Sequence, residues 1–157
     1  MKRRNFIKSM MVASAVAATP VALMAKEEAK AKKKGPNDLT HEAALEAITG
    51  GKEVRESEKV KLTVPEIAEN GAVVPVKVEV DNPMEEANYV KAIHVLSTKN
   101  GNTRCADVML TPANAKGYFA TRIKLSSTQE VVALVELSDG TFMKAGKSVK
   151  VTIGGCG

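Results

Sequence analysis

Residues 72–80 read AVVPVKVEV, with a valine at every second position from Val74 to Val80 and with Lys77 and Glu79 between them. A period of two places the valines on one face of a β-strand and the charged side chains on the other. One apolar and one polar face is the pattern of a strand that covers a core on one side only. This stretch therefore predicts a strand at the surface of an all-β domain.

Similar β-rich runs occupy most of the remaining sequence, at residues 59–64, 89–98, 104–111, 117–125, 130–137, 141–145 and 147–153. The dipeptides Asn100-Gly101 and Asp139-Gly140 lie between such runs and are strong hairpin signals. Seven or eight short strands with regular turns predict an immunoglobulin-like antiparallel β-sandwich over residues 59–153. The run 130–137 is apolar on both faces, which fits either a buried strand or a broad contact surface.

The core of this sandwich has to be aliphatic, because the 157-residue chain contains no Trp and only 3% aromatic residues. The Cys-Trp-Cys core of antibody domains is therefore absent. So few aromatic side chains also argue against a site that stacks on bases or sugars.

Ahead of the strands, residues 38–50 predict a short amphipathic helix. Asp38 or Thr40 can cap its first amides, and Gly50-Gly51 ends it. Residues 26–37 are rich in Lys and close with Gly-Pro, which predicts a solvated linker.

Residues 1–25 have the features of an export signal. A basic start is followed by small apolar residues, and Arg3 to Lys8 read RRNFIK, which resembles the twin-arginine pattern. Pro20 interrupts the apolar run, which is short for a membrane span, so we expect cleavage after Ala25 rather than anchoring. The expected location is the bacterial periplasm, with no membrane segment after cleavage.

The charge balance argues against nucleic-acid binding. The formal net charge of the whole chain is +5, but residues 1–25 hold four basic residues and no acid. Residues 35–157 hold 14 basic and 16 acidic residues, so the predicted domain is slightly acidic. A nucleic-acid surface would need a basic patch within that domain, and the sequence shows none.

Common catalytic and metal-binding patterns are missing as well. The sequence has no phosphate-binding glycine loop, no CxxC or HxxxH, and only two imidazoles. His41 falls in the first turn of the helix and is expected at the surface. His94 falls within a strand and is expected to be a packed residue. No cofactor, metal or catalytic residue is therefore predicted.

The end of the chain carries the one distinctive chemical group. After the last predicted strand only Gly154, Gly155, Cys156 and Gly157 follow. Glycines are expected to make this arm thin and mobile, so the thiol could stand roughly 10 Å beyond the sheet. Cys105 lies in a predicted strand and is expected to be a half-buried small side chain. A disulfide between Cys105 and Cys156 is the alternative that the sequence leaves.

The C-terminal stretch KSVKVTIGGCG (147–157) resembles the SoxY family of bacterial thiosulfate oxidation. The similarity extends upstream through PANAKGYFATRIKL and TQEVVALVELSDGTF and covers most of residues 40–157. Many members of that family end in Gly-Gly-Cys-Gly-Gly, whereas this chain has one terminal Gly fewer. The family pattern requires no cysteine at position 105.

The resemblance implies a covalent carrier rather than an enzyme. It implies that Cys156 carries thiosulfate-derived sulfur as an S-thiosulfonate or persulfide, on an arm formed by Gly154, Gly155 and Gly157. The implied partners are a SoxZ-like subunit, the haem enzyme SoxAX, the hydrolase SoxB and, in some systems, a sulfane dehydrogenase.

The main alternative is a structural immunoglobulin-like module of the periplasm that dimerises through a Cys156 disulfide. It predicts a covalent dimer that is indifferent to thiosulfate.

Overall fold

The computed structural model describes residues 38–155, so the predicted signal peptide, most of the linker, Cys156 and Gly157 lie outside the described residues. The described part contains one helix and nine strands. They are α1 His41–Thr49, β1 Val54–Glu56, β2 Val60–Thr63, β3 Ile67–Asn70, β4 Val74–Val80, β5 Val90–Ser97, β6 Arg104–Met109, β7 Gly117–Ile123, β8 Gln129–Leu137 and β9 Phe142–Ile153.

The helix α1 is bounded by the residues that its sequence offers as caps. Thr40 stays extended and its side chain accepts a hydrogen bond from the amide of Ala43, so the helix begins at His41 rather than at residue 38. Gly50 ends it with φ of 62°, a left-handed conformation that glycine adopts without strain. Among residues 38–155, no helix is long and apolar enough to cross a bilayer.

Two sheets form the sandwich, as predicted. The larger has the order β1-β9-β8-β5-β6, with β3 also paired to β9, and the smaller has the order β2-β4-β7. The alternating valines of β4 face the core, and its partners are antiparallel β2 and β7. Valine and leucine side chains from both sheets fill the space between them, which confirms the aliphatic core.

A second apolar cluster lies on the outer face of the larger sheet. It consists of Leu96, Val132, Leu134 and Phe142, and α1 packs on it through Leu45 and Ile48. Strand β8 therefore has an apolar layer on each side. This explains why its sequence is apolar on both faces.

The last strand differs from its prediction. Residues 141–145 and 147–153 were expected as two strands, but β9 runs unbroken through Gly146, which lies opposite Val132 of β8. The opposite edge of β9 pairs in parallel with β1 and with β3, two strands that the sequence did not predict. The sandwich is therefore antiparallel except along this edge.

Truncation of Leu134 tests the contribution of the outer cluster. Leu134→Ala removes a fully buried side chain beneath α1, and we expect it to lower the free energy of unfolding by about 2–5 kcal/mol. Lys77→Ala, at an exposed position of β4, is the control and should change it by less than about 0.5 kcal/mol. Urea unfolding followed by circular dichroism measures both, and equal effects would contradict the packing of α1 on this sheet.

Candidate functional site

The two glycines that precede Cys156 are held against the end of the sandwich. The amide of Gly155 donates to the carbonyl oxygen of Leu125 at 2.9 Å. The amide of Leu125 in turn donates to the carbonyl oxygen of Gly71 at 2.7 Å, and the amide of Gly71 donates to Ile153 at 2.7 Å. We call Gly71, Ala72, Leu125 and Ser126 the arm seat.

Close backbone packing explains why residues without a Cβ occupy these positions. A Cβ on Gly155 would lie 2.6 Å from the carbonyl group of Gly71 and from the amide nitrogen of Ala72. A Cβ on Gly154 would overlap the carbonyl oxygen of Ser126, and one on Gly71 would overlap that of Leu125. The left-handed glycines of the described residues are Gly50, Gly51 and Gly140. Glycine is thus required at positions 154 and 155 because neighbouring backbone atoms lie too close for a Cβ, and not because the backbone adopts a positive φ.

A network of buried side chains holds residues 124–126, the segment that contributes Leu125 and Ser126 to the arm seat. Asn100 donates from Nδ2 to the carbonyl oxygen of Lys124 at 2.7 Å. Its Oδ1 accepts from the amide of Ser126 at 3.0 Å and from Nε2 of Gln129 at 2.8 Å. Gln129 is itself fixed because its Oε1 accepts from the amide of Lys99 at 2.8 Å. Asn100 thus binds the segment on both sides of Leu125 and ties it to the turn after β5.

Cys105 lies next to this network and is a free cysteine. It is half-buried, as predicted, and its Sγ lies 3.8 Å from Nδ2 of Asn100 and 3.6 Å from the carbonyl oxygen of Thr103. Burial raises the pKa of the Cys105 thiol, against the opposing effect of hydrogen bonds from Ser97 and Asn100. A half-buried thiol with a raised pKa is a poor nucleophile.

The side-chain direction of Cys105 departs from simple alternation. The register between β5 and β6 shifts at Val95/Leu96, so Cys105 and Ala106 both contact the inner core while Asp107 faces outward. Regular alternation would put Cys105 and Asp107 on the same side of the strand, and the register shift is the reason why they lie on different sides.

The two histidines do not form a catalytic pair with any thiol in the described residues. His94 is buried, as predicted, and its Nδ1 lies 2.5 Å from Oδ1 of Asp107, whose other oxygen accepts from Arg104 at 2.9 Å. Its Nε2 is enclosed without a hydrogen-bond partner. This cluster joins β5 to the edge strand β6, which is a structural role. His41 is half-buried rather than fully at the surface, and its Nδ1 is also enclosed.

A metal or substrate centre does not emerge from residues 38–155. No group of three His, Cys, Asp or Glu side chains in this range is placed to hold a metal ion. An open groove of about 840 Å³ crosses the outer face of the smaller sheet, but its ionisable lining residues are only Lys77 and Arg122.

The structure places two of the predicted arm residues, Gly154 and Gly155, and shows what they touch. The sequence analysis did not single out Gly71, Asn100 or the Leu125–Ser126 segment, which is far from the arm in sequence. The Asn70-Gly71 dipeptide is a turn signal, yet nothing local links it to residue 155.

Comparison with known proteins finds a family whose matched range includes most of this arm. The family model described as "Sulfur oxidation protein SoxY" matches residues 45–156, a range that includes both glycines of the arm and Cys156. The chain belongs to the SoxY family. Among curated proteins, none matches this sequence closely enough to count as a relative.

A solved SoxY structure shares the fold. The sulfur carrier protein SoxY from Chlorobium limicola f thiosulfatophilum is 30% identical, with a TM-score of 0.61, and the match covers 71% of this chain and 96% of that one. The immunoglobulin-like prediction and the recognition of the family are therefore confirmed, and the coarse role is that of a sulfur carrier in sulfur oxidation.

Superoxide reductases share the sandwich at lower identity. The neelaredoxin of Ignicoccus hospitalis is 21% identical with a TM-score of 0.54, covering 60% of this chain and 80% of that one. The superoxide reductase of Nanoarchaeum equitans is 11% identical with a TM-score of 0.51, covering 61% and 99%. These likenesses concern the fold alone, because a shared fold does not transfer a reaction.

Differential alkylation tests the contrast between the two cysteines. At neutral pH we expect iodoacetamide to modify Cys156 first, because burial and a raised pKa keep Cys105 as a protected thiol. Reaction at Cys105 should increase only at more alkaline pH, as its thiolate forms. Peptide mass spectrometry at timed intervals gives both rates, and the urea-unfolded chain, in which both should react similarly, is the control. Equal rates in the folded protein would contradict this assignment.

Removal of the Asn100 side chain tests the polar network. Asn100→Ala removes the partner of the Lys124 carbonyl oxygen and of the Ser126 amide, and one of the two acceptors of Gln129 Nε2, so we expect a loss of about 1–3 kcal/mol in the free energy of unfolding. Asn102→Ala, two residues along the same turn and exposed, should change it by less than about 0.5 kcal/mol. Denaturant titration compares the two, and an unchanged midpoint for Asn100→Ala would argue against the network.

Proposed function

We propose that this SoxY-family protein is a periplasmic covalent carrier that holds thiosulfate-derived sulfur on Cys156. The observation that carries the proposal is the fixed position of Gly155. Its amide is bound to Leu125 at the end of the sandwich, and Cys156 follows by a single peptide bond. We infer that the attachment point lies near this end of the domain, where a partner enzyme can reach it.

The chemistry takes two steps, and partner enzymes supply the electron acceptor for the first and the hydrolytic catalyst for the second. In the first, the Cys156 thiol loses its proton to solvent and its sulfur forms a disulfide bond with the outer sulfur of thiosulfate, while a haem enzyme of the SoxAX type takes the two electrons released. In the second, a SoxB-type hydrolase adds water to the sulfonate sulfur, which breaks the bond between that sulfur and the sulfane sulfur. Sulfate leaves, and a persulfide stays on Cys156 for a sulfane dehydrogenase to oxidise.

The described residues support assigning catalysis to the partners. Cys105 is protected, His94 is committed to Asp107, and the open groove holds no acid or imidazole. Neither imidazole is paired with a thiol within residues 38–155. We infer that a partner enzyme loads Cys156, because a thiol is a weak nucleophile until a base or a lowered pKa activates it.

A SoxZ-like subunit is the expected stable partner, because the SoxY family works within the Sox system. Export by the twin-arginine pathway accounts for the basic RRNFIK stretch at residues 3–8 and for the periplasmic location we propose. The alternative of a structural module linked through Cys156 remains distinguishable, since it predicts a disulfide dimer and no sulfur adduct.

Intact mass spectrometry tests the proposal. Protein recovered from the periplasmic fraction of cells grown on thiosulfate should carry mass increments of a thiosulfonate or a persulfide, and a thiol reductant should remove them. Cys156→Ser should lose every increment, because it lacks the attachment atom. Cys105→Ser is the matched control and should retain them.

Three other outcomes would contradict the proposal, each in a different way. Adducts that persist in Cys156→Ser would place the sulfur elsewhere, and recovery only from the cytoplasm would exclude the proposed location. A reducible dimer mass without sulfur increments would support the structural module.

A further inference from the structure

The carrier arm stays in contact with the folded domain for two residues more than its sequence suggests. Strand β9 ends at Ile153, yet the next two residues remain in contact with the body of the protein. Three backbone hydrogen bonds run in series, from Gly155 to Leu125, from Leu125 to Gly71 and from Gly71 to Ile153. The end of β9 and the arm thus close a small ring around Gly71.

The fit at this ring leaves no room for side chains. Gly71 packs under three groups at once, the carbonyl oxygen of Leu125, the amide nitrogen of Gly155 and a methyl group of Val151. Added methyl groups on Gly154 or Gly155 meet backbone atoms rather than flexible side chains, and backbone atoms cannot yield without moving the segment. The arm and its seat are therefore complementary surfaces.

The seat itself is rigidly supported. Leu125 is fully buried, and Asn100 fixes the residues on either side of it. Thr128, in the same segment, accepts from the amide of Val151 at 3.0 Å and so binds the segment to β9. The carbonyl oxygen that receives the arm is consequently held in place by the core and by β9.

We propose that Gly71 and Asn100 are positioning residues that seat Gly154 and Gly155 at rest, so that the reach of the Cys156 thiol is counted from Gly155 rather than from Ile153. This rests on the proposed carrier role of Cys156. Measured from Gly155, the free chain reaches the thiol over one residue, about 3.5 Å, whereas from Ile153 it would extend over three residues, about 10 Å. Seating therefore shortens the reach of the thiol by roughly 7 Å.

Release of the arm from the seat costs little free energy. One hydrogen bond, from Gly155 to Leu125, holds the end of the arm, and the net contribution of such a bond corresponds to a preference of about tenfold. A partner with a deep active site can draw the arm out by replacing this bond.

Gly155→Ala is the most direct test, because residue 155 lies beyond the last residue of β9 and can leave the seat without breaking a sheet. The probe is labelling of Cys156 by a bulky polyethylene-glycol maleimide relative to a small maleimide, with each site measured by peptide mass spectrometry. We expect Gly155→Ala to raise this ratio about tenfold, since the thiol moves away from the body. Gly71→Ala should act in the same direction.

The matched control is Gly146→Ala, in strand β9 before the arm, where the atoms nearest to an added Cβ belong to the flexible side chain of Glu130, which can rotate away. It should leave the ratio unchanged. Hydrogen exchange of the amide at residue 155, followed by NMR in the isotope-labelled chain, gives a second readout. This exchange should be slow in the wild type and about tenfold faster in Gly71→Ala and Asn100→Ala.

Two results would overturn the inference. One is wild-type exchange at residue 155 as fast as in an unstructured peptide, and the other is an unchanged labelling ratio in Gly155→Ala. Both readouts are independent of sulfur chemistry. A seated arm without thiosulfate adducts would therefore refute the carrier function alone, and adducts on an unseated arm would refute the seat alone.

Discussion

The pairing of β9 is the constraint on which the rest of the structure depends. This 12-residue strand pairs with β8 on one edge, while its other edge pairs in parallel with β1 and then with β3. Parallel pairing with β3 brings Asn70 opposite Ile153, and so delivers Gly71 to the point where the arm begins. The position of the arm is thus decided by backbone pairing in the sheet, not by any side chain of the arm.

The polar network around Asn100 extends this order to the opposite side of the arm. A buried amide that satisfies the groups around it rigidifies a loop, whereas the same amide left unpaired would destabilise it. Asn100 has partners on both its nitrogen and its oxygen, so the segment at Leu125 and Ser126 is held like part of the core. The two glycines that precede Cys156 therefore lie against a rigid part of the domain.

Much of the fold could be predicted because the strands of an aliphatic sandwich alternate strongly. The helix, the two-sheet architecture and the strands from β4 to β8 follow from local pattern and turn chemistry. The strands β1 and β3 could not be predicted, since three or four residues carry too little periodicity and their parallel partner is distant in sequence. The orientation of Cys105 could not be predicted for a related reason, because a register shift between two strands cannot be seen in the sequence of either strand alone.

By itself, the sequence determined that a cysteine lies between glycines near the end of the chain, and that few other residues could perform chemistry. It also carried the family resemblance that interprets this cysteine. Only the tertiary structure decided how Gly154 and Gly155 are used. Local sequence suggests flexibility, because glycine has few conformational restrictions. The fold instead brings Gly71 and Ser126 so close that only residues without a side chain fit between them. That distinction depends on contacts between segments far apart in sequence, which no local pattern encodes.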